Sequence, residues 1–258
     1  MEPVLIDGQW RTALASGSFR AENPATTAAL PGEFPISTWA DCEAALTAAT
    51  TAAGRLRQTA PEAIAQFLDR VAERLEGRRA ELVETAHAET ALPQSPRLAE
   101  VELPRTTAQL RQAAAAVREG SWALPVIDAR LNIRSLLGPI GPVLVFGPNN
   151  FPFAYNGVAG GDFVAAIAAG NPVIAKAHPG HPHTTKLLAG EALAALLETG
   201  LPPATVQLLY HLAPADGLRF VADPRLGAVG FTGSRAAGLK LKAAADAAGK
   251  PIFWSCPV

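Results

Sequence analysis

Between residues 143 and 253 the chain alternates short apolar runs with segments of helical spacing. Val143–Phe146 is a β-branched, strand-length run, broken by Gly147 and Pro148. The small-residue segment Gly157–Gly170 predicts a tightly packed helix, stopped by Gly170, Asn171 and Pro172. Val173–Ala175 predicts a second strand ending on Lys176. Thr184 is the expected cap of a helix running to Glu198, with Gly200 and Pro202 as its stop. Thr205–Tyr210, Leu226–Phe231 and the start of a run at Pro251–Phe253 predict three further strands, separated by helices over Gly217–Ala222 and Ser234–Ala248. Strand and helix in alternation predict the α/β class, with an open parallel sheet over 143–253 flanked by helices. Ligands of such sheets sit beyond the carboxyl ends of the strands. Asn150, Lys176 and Ser234 are therefore expected around one crevice.

The first 140 residues carry a different pattern. Turn signals at Asp7-Gly8, Asn23-Pro24 and Pro31-Gly32 predict an arm with short strands over 1–36. Thr38-Trp39-Ala40-Asp41 has capping-box spacing and predicts a helix start. Pro61 suits the first turn of the next helix, where Ile64, Phe67, Leu68, Val71 and Leu75 mark the core face. Glu81–Ala91 continues helical, and Glu89 reads as a solvated or capping carboxylate rather than a catalytic one. Pro96–Arg118 predicts a long helix with a kink or restart at Pro104. Ala129–Leu136 alternates polar and apolar residues, as a half-exposed strand does. The divisions are thus 1–120 (arm and helices), 121–139 (strands) and 140–253 (parallel α/β core).

Composition narrows the function. Of 258 residues, 49% are apolar and 17% charged, which excludes a disordered chain. The net charge is −1 with no basic cluster, so no nucleic-acid partner is expected. No apolar run reaches membrane-spanning length and the N-terminus lacks a signal pattern, so no membrane partner and a cytoplasmic location are expected. Cys42 and Cys256 suggest neither a disulfide framework nor a metal site. His178, His181 and His183 lie close together, but Pro179 and Pro182 hold their loop extended and no carboxylate is interleaved, so no metal is expected.

The segments FGPNNFP (Phe146–Pro152) and GNPVIAKAHP (Gly170–Pro179), then AVGFTGSRAAG (Ala228–Gly238), resemble the aldehyde dehydrogenase superfamily. ETALP (Glu89–Pro93) and VREGSW (Val117–Trp122) resemble its α-ketoglutaric semialdehyde dehydrogenase branch. The resemblance runs from Leu5 to about Phe253 and implies the Rossmann-like NAD(P)-binding domain of that family. It implies an oxidoreductase that converts an aldehyde, semialdehydes included, to a carboxylic acid with NAD or NADP. In the complete protein it implies an aldehyde substrate and a homo-oligomer, with 121–139 similar to an interface hairpin.

By the same resemblance Asn150 is the oxyanion donor. Its amide NH₂ would donate to charge that develops only in the transition state. Asn149 is off by one in register. Lys176 matches the adenosine-ribose lysine, and Pro179 stands where NAD-preferring relatives often carry Glu, so NADP is permitted alongside NAD. Gly233 and Ser234 open a helix whose free N–H groups suit a pyrophosphate. Gly238 keeps helix and sheet close, and Phe231 walls the pocket together with Phe146, Gly147 and Pro148. Arg235 has either a phosphate or solvent before it. His211 stands where many relatives have Gly beside the adenine. The GxGxxG fingerprint of ordinary Rossmann dehydrogenases is absent.

Other expectations concern what the family has and the chain does not show. Its nucleophilic Cys falls beyond residue 258, and its water-activating Glu just after Phe253. Cys256 occupies the base's place rather than the nucleophile's. The chain is therefore expected to be an N-terminal half without turnover of its own. Alternatives are a non-catalytic nucleotide-binding or regulatory module, and an unrelated enzyme built on the histidine loop. Trp254–Val258 is expected to come from a shifted reading frame, since one inserted base after a Phe253 codon restores Leu-Glu-Leu. Apolar surface at Val143–Phe146 and Ile252-Phe253 is expected to lie uncovered, giving poor solubility or association.

Overall fold

The computed structural model describes residues 1–256. Four short strands open the chain, β1 (Val4–Ile6), β2 (Gln9–Arg11), β3 (Ala15–Phe19) and β4 (Phe34–Ser37). Helices α1 (Trp39–Leu56), α2 (Pro61–Gly77), α3 (Arg79–Thr90) and α4 (Leu103–Glu119) follow. A hairpin of β5 (Val126–Asp128) and β6 (Ile133–Ser135) leads to the alternating part. That part runs β7 (Val143–Phe146), α5 (Gly161–Ala168), β8 (Val173–Lys176), α6 (Pro182–Thr199), β9 (Val206–Leu209) and β10 (His211–Leu212). It ends with α7 (Pro214–Val221), β11 (Ala228–Thr232), α8 (Arg235–Ala247) and β12 (Ile252–Ser255).

The main sheet has the order β12-β11-β7-β8-β9-β1-β2. The first five strands are mutually parallel, and the arm adds β1 and β2 antiparallel at one edge. The α/β core begins at β7 in the middle, steps outward to β8 and β9, then returns to β11 on the other flank of β7. Strand order therefore reverses between β7 and β11, which opens a crevice at their carboxyl ends. Right-handed crossovers put α5 and α6 on one face and α7 and α8 on the other. Trp39 of α1 packs edge-on against Phe220 of α7, centroids 6.1 Å apart, so α1 shares the second face. α2 and α4 pack outside α5 and α6. All four residues of β7 are buried, as a central strand covered on both faces requires.

Several expected elements shift, each for a local reason. α1 starts at Trp39, but the side chains of Thr38 and Asp41 do not form the reciprocal box. The Thr38 hydroxyl donates to Leu14 O (2.7 Å), and the Leu14 N–H donates to Asp41 Oδ2 (3.0 Å), tying the helix start to the arm. The helix expected from Gly157 begins only at Gly161, because Asn156 holds a turn there. Its Nδ2 donates to Pro152 O (2.8 Å) and its Oδ1 accepts from Val158 N (3.0 Å). α6 starts at Pro182, two residues before the expected cap, and Thr184 lies inside it. α7 likewise begins earlier, at Pro214. The long helix over 96–118 is divided as expected near Pro104. A wider-wound segment, Gln94–Glu102, precedes α4, and Pro104 takes α4's second position.

The strand expected over 129–136 is instead the second half of a hairpin. Residues 129–132 turn, with Leu131 N donating to Asp128 Oδ1 (2.9 Å) and Asn132 in the left-handed region. Both of its strands are exposed. The apolar exposure expected at Val143–Phe146 is not there, because helices cover both faces of β7. It is concentrated at Val126, Ile127, Ile133, Leu136 and Phe253. β12 continues through Trp254 and Ser255, which pair with Phe231 and Thr232. Pro257 and Val258, the end of the segment expected from a shifted frame, lie outside the described residues. Among the described residues no helix is long and apolar enough to cross a membrane.

Candidate functional site

One row of residues crosses the carboxyl edge of the sheet: Trp254, Phe231, Phe146, Lys176 and Leu209 are register partners in turn. Residues opposite each other in parallel strands project to the same face. This face looks toward α7 and α8, and between it and the two helices lies a cleft of ≈ 820 Å³. Phe146, Gly147, Pro148, Asn150, Lys176, Phe231, Gly233 and Ser234 all line it. Asn149, His178, Pro179, Lys240 and Cys256 line it too, as do residues of the β10–α7 turn. Gly238 is not in the lining; it lies behind Phe231. A Cβ there would come within 3.0 Å of Cys256 Sγ and Trp254 Cε3 and 3.1 Å of Phe231 Cε1, so its role is to let α8 press against the sheet.

The walls follow from the sequence order. Phe146 and Phe231 meet at 60° with centroids 6.1 Å apart. A Cβ on Gly147 would stand 2.9 Å from Gly157 N and from Tyr155 O, so only glycine lets the 147–157 loop close on itself here. Ser234 caps α8, its hydroxyl oxygen accepting from Ala237 N at 3.4 Å. The first N–H groups of α8 and its positive dipole end thus border the cleft. Arg235, next along, is exposed.

The cleft's electrostatics are one-sided. No Asp or Glu lines it, whereas Lys176 and Lys240 do. Lys176 makes no ion pair among the described residues, and burial pulls its ammonium down to about 8. His178 is pulled down to about 3, first by burial and then by the neighbouring His181, Lys176 and His211. Its ring is therefore neutral at ordinary pH.

The loop that carries Asn150 is clamped from outside the cleft. His181 Nε2 donates to Pro148 O (2.7 Å). Arg97 donates to Asn150 O (3.0 Å), lies over the Phe151 ring at 4.5 Å and pairs with the buried Glu102. Glu102 Oε1 accepts in turn from Phe153 N (2.8 Å) and Ala154 N (3.0 Å). None of these clamps is evident in the sequence. Arg97 and Glu102 lie some fifty residues before the loop they hold, with no spacing to connect them. Only Asn156-Gly157, a turn dipeptide, was available as a signal.

The three histidines of the 178–183 loop do not converge. His178 Nδ1 accepts from Gly180 N, His181 bonds Pro148 O, and His183 faces Glu89. Glu89 is the capping carboxylate, buried rather than solvated, and the helix it caps is α6. His211 turns toward Phe19, centroids 5.7 Å apart, and does not line the cleft. Cys42 is buried in the core, and burial, with Asp216 and Asp41 nearby, pushes its thiol up to about 12. Cys256 is at the cleft's edge, nearer the site than its sequence position suggested.

Comparison with known proteins agrees with this architecture. The chain is 37% identical to alpha-ketoglutaric semialdehyde dehydrogenase 2 of Azospirillum brasilense over 258 residues, covering 96% of this chain and 49% of that protein. It is 36% identical to the alpha-ketoglutaric semialdehyde dehydrogenase of Acinetobacter baylyi over 228 residues, covering 85% and 42%. The chain thus spans about half the length of the curated relatives it matches. Its fold superposes with a TM-score of 0.85 on aldehyde dehydrogenase C of Pseudomonas syringae, solved as a mutant with NAD+ and octanal. That pair is 24% identical, covering 99% of this chain and 50% of the other. The NAD-dependent benzaldehyde dehydrogenase of Corynebacterium glutamicum gives the same score at 24% identity, covering 99% and 54%. The sequence pattern of the aldehyde dehydrogenase family matches residues 10–256, and the chain belongs to that family.

Proposed function

We propose that this chain is the NAD(P)-binding part of an enzyme that oxidises an aldehyde, with a semialdehyde as the favoured class, to a carboxylic acid. The observation that supports this most is the cleft itself. It lies where the strand order reverses, is free of carboxylates, and is bordered by a capped helix N-terminus and two facing phenylalanines. These features suit a dinucleotide: Gly233, Ser234 and the start of α8 would hold the pyrophosphate, and Lys176 the adenosine ribose. Phe146, Gly147, Pro148 and Phe231 would wall the nicotinamide side. When bound, the cofactor supplies a hydride acceptor. Asn150 would donate its amide N–H to the substrate's carbonyl oxygen as that oxygen becomes negative, and the Arg97–Glu102 clamp fixes the loop that presents it. The 121–139 hairpin would contribute to a homo-oligomer.

By itself the chain binds and does not turn over. Aldehyde oxidation in this reading needs an activated thiolate. Cys42 is sealed in the core, and Cys256 has no hydrogen-bond partner among the described residues. Titration of the purified chain with NADH and NADPH, followed by the quenching and enhancement of fluorescence, is expected to show saturable binding. Steady-state assays with semialdehydes are expected to show no aldehyde-dependent reduction of NAD+ or NADP+. Steady turnover abolished by Asn150→Ala would refute the second half, and absence of nucleotide binding the first. A regulatory nucleotide-binding module is the second reading; binding without turnover is common to both. The readings separate on complementation, since activity on mixing with a catalytic half of a related enzyme belongs only to the first.

The exposed apolar hairpin leads to one more expectation. Ile127 is 72% exposed and Ile133 56%, so the chain is expected to elute as dimers or larger species in size-exclusion chromatography with light scattering. Ile127→Thr combined with Ile133→Thr should move it toward monomer; a wild-type monomer would contradict this.

A further inference from the structure

We propose that His181, Thr185 and Asn156 form one directed spine of hydrogen bonds that positions the oxyanion donor Asn150 from behind its loop. The inference rests on the role given to Asn150 above and adds the residues that hold it in place. None of the three lines the cleft, so each is a positioning residue.

All three side chains are buried, so their polar atoms need partners within the protein. Pro148 O can only accept, so His181 Nε2, 2.7 Å away, carries a proton. Burial pulls the ring below its ordinary value and keeps it uncharged, which leaves Nδ1 as a bare acceptor. The Thr185 hydroxyl lies 3.3 Å from that nitrogen. His181 O, at 3.1 Å, could take the same hydroxyl proton, but the Thr185 N–H already donates to this carbonyl at 3.2 Å. Nδ1 has no other donor among the described residues, so the hydroxyl proton belongs to it. Thr185 Oγ1 accepts in turn from Asn156 Nδ2 (2.9 Å), and the other N–H of that amide donates to Pro152 O (2.8 Å). Every proton in the spine thus has one place, and successive bonds polarise one another.

The two ends of the spine are the carbonyls of Pro148 and Pro152, and Asn150 is midway between them in sequence. Arg97 holds the carbonyl between, Asn150 O, at 3.0 Å. Carbonyls 148, 150 and 152 are therefore all engaged by groups that do not line the cleft. The Asn150 side chain lines it and has no hydrogen-bond partner among the described residues. With the carbonyls on both sides fixed, the backbone at 149–151 has little freedom left to lose, and the amide meets a developing negative charge without reorganising. Thr185 is in the first turn of α6, so the spine ties the loop to a helix start that Glu89 caps.

Nuclear magnetic resonance on the whole chain tests this. In the wild type, His181 is expected to carry its proton on Nε2 with Nδ1 bare, and the Asn150 backbone amide to be ordered, with an order parameter of about 0.85. Thr185→Val keeps the side chain's shape and removes its hydroxyl. It is expected to bring Asn150 below about 0.6 while the amides of β7 and β8 stay at about 0.85. Thr185→Ser, which keeps the hydroxyl, should restore the order of Asn150. Asn156→Asp, which removes both N–H donors, should loosen Asn150 as Thr185→Val does. A wild-type His181 with its proton on Nδ1 would overturn this inference and leave the proposed function standing. So would a folded Thr185→Val chain in which Asn150 keeps its order, or one in which β7 and β8 loosen equally, the mark of a purely structural role. Titration of the same samples with NAD+ keeps the two readings apart: absence of nucleotide binding would overturn the proposed function, and with it the oxyanion role that the spine serves. If neither variant folds, the wild-type tautomer of His181 decides alone.

Discussion

Glu89→Ala is expected to destabilise the chain by roughly 3 kcal/mol, the largest loss of any single substitution considered. Glu89 ends α3 with only 3% of its surface exposed. Its Oε1 accepts the His183 N–H (2.8 Å), and its Oε2 accepts both the N–H and the hydroxyl of Thr184 (2.8 and 2.7 Å). α6 has no capping side chain of its own, so the carboxylate of another helix satisfies its orphan donors and sits at its positive dipole end. Removal leaves two N–H groups and a hydroxyl without partners in a buried place. Each such group costs about 1–3 kcal/mol, partly relieved by water entering the gap. At about 2–4 °C per kcal/mol for a chain of this size, the melting temperature should fall by roughly 6–12 °C. Glu89→Gln should fall less, because the amide keeps one acceptor oxygen. Circular dichroism melting checks this, and a shift below about 2 °C would show that α6 is held otherwise. The same helix start positions His181, which holds Pro148 O at the cleft, so nucleotide affinity should weaken along with stability.

This network shows where the sequence is readable and where it is not. The parallel sheet and its crevice could be read because their signals are local. A buried apolar run, a Gly-Pro break and a lone cation at a strand end each lie within a few residues. Ser234 caps α8 as its position indicates, because cap and helix are contiguous. Thr184 looked equally suited to capping α6, yet the cap comes from Glu89, some ninety-five positions away. A helix needs only an acceptor at its N-terminus, whichever element supplies it. Thr38 and Asp41 have the box spacing, but their side chains bond to the backbone of Leu14, because the arm brings its N–H and C=O alongside the helix start. Arg97 and Glu102 are unreadable for the same reason: their role depends on the packing of the Gln94–Glu102 segment against the 150–154 loop. The alternation over 129–136 overstates the strand, which runs only over Ile133–Ser135, because alternation marks one half-exposed face whereas both strands of the hairpin are exposed here.

Lys176→Met is expected to change stability in the opposite direction, raising it while weakening nucleotide binding. Lys176 is a cation in a largely buried place with no counter-charge among the described residues, and its folded pKa of about 8 lies below the ordinary value. The sign follows from proton uptake. Between about pH 8 and pH 10.4 the unfolded chain holds a proton that the folded chain has released, so stability rises with pH through that window. Below about pH 8 both states are charged and the penalty is present in full. A shift of this size corresponds to roughly 3 kcal/mol. Because the side chain is partly open to the cleft, the effective penalty is nearer 2 kcal/mol. Methionine keeps the aliphatic length without the charge. At pH 7 the variant should melt about 4–8 °C higher than the wild type, and the contribution of this site to the alkaline rise should disappear. An anionic nucleotide offsets the same penalty, so adding NADP+ should raise the wild-type melting temperature by more than the variant's. A core lysine with a purely structural role would give the reverse pattern: a lower melting temperature on substitution and the same increment from ligand. Thermal melts at pH 7 and pH 9.5, each with and without NADP+, distinguish the two, and a Lys176→Met chain that melts lower at pH 7 would refute the assignment of Lys176 as an unpaired cation held ready for an anion.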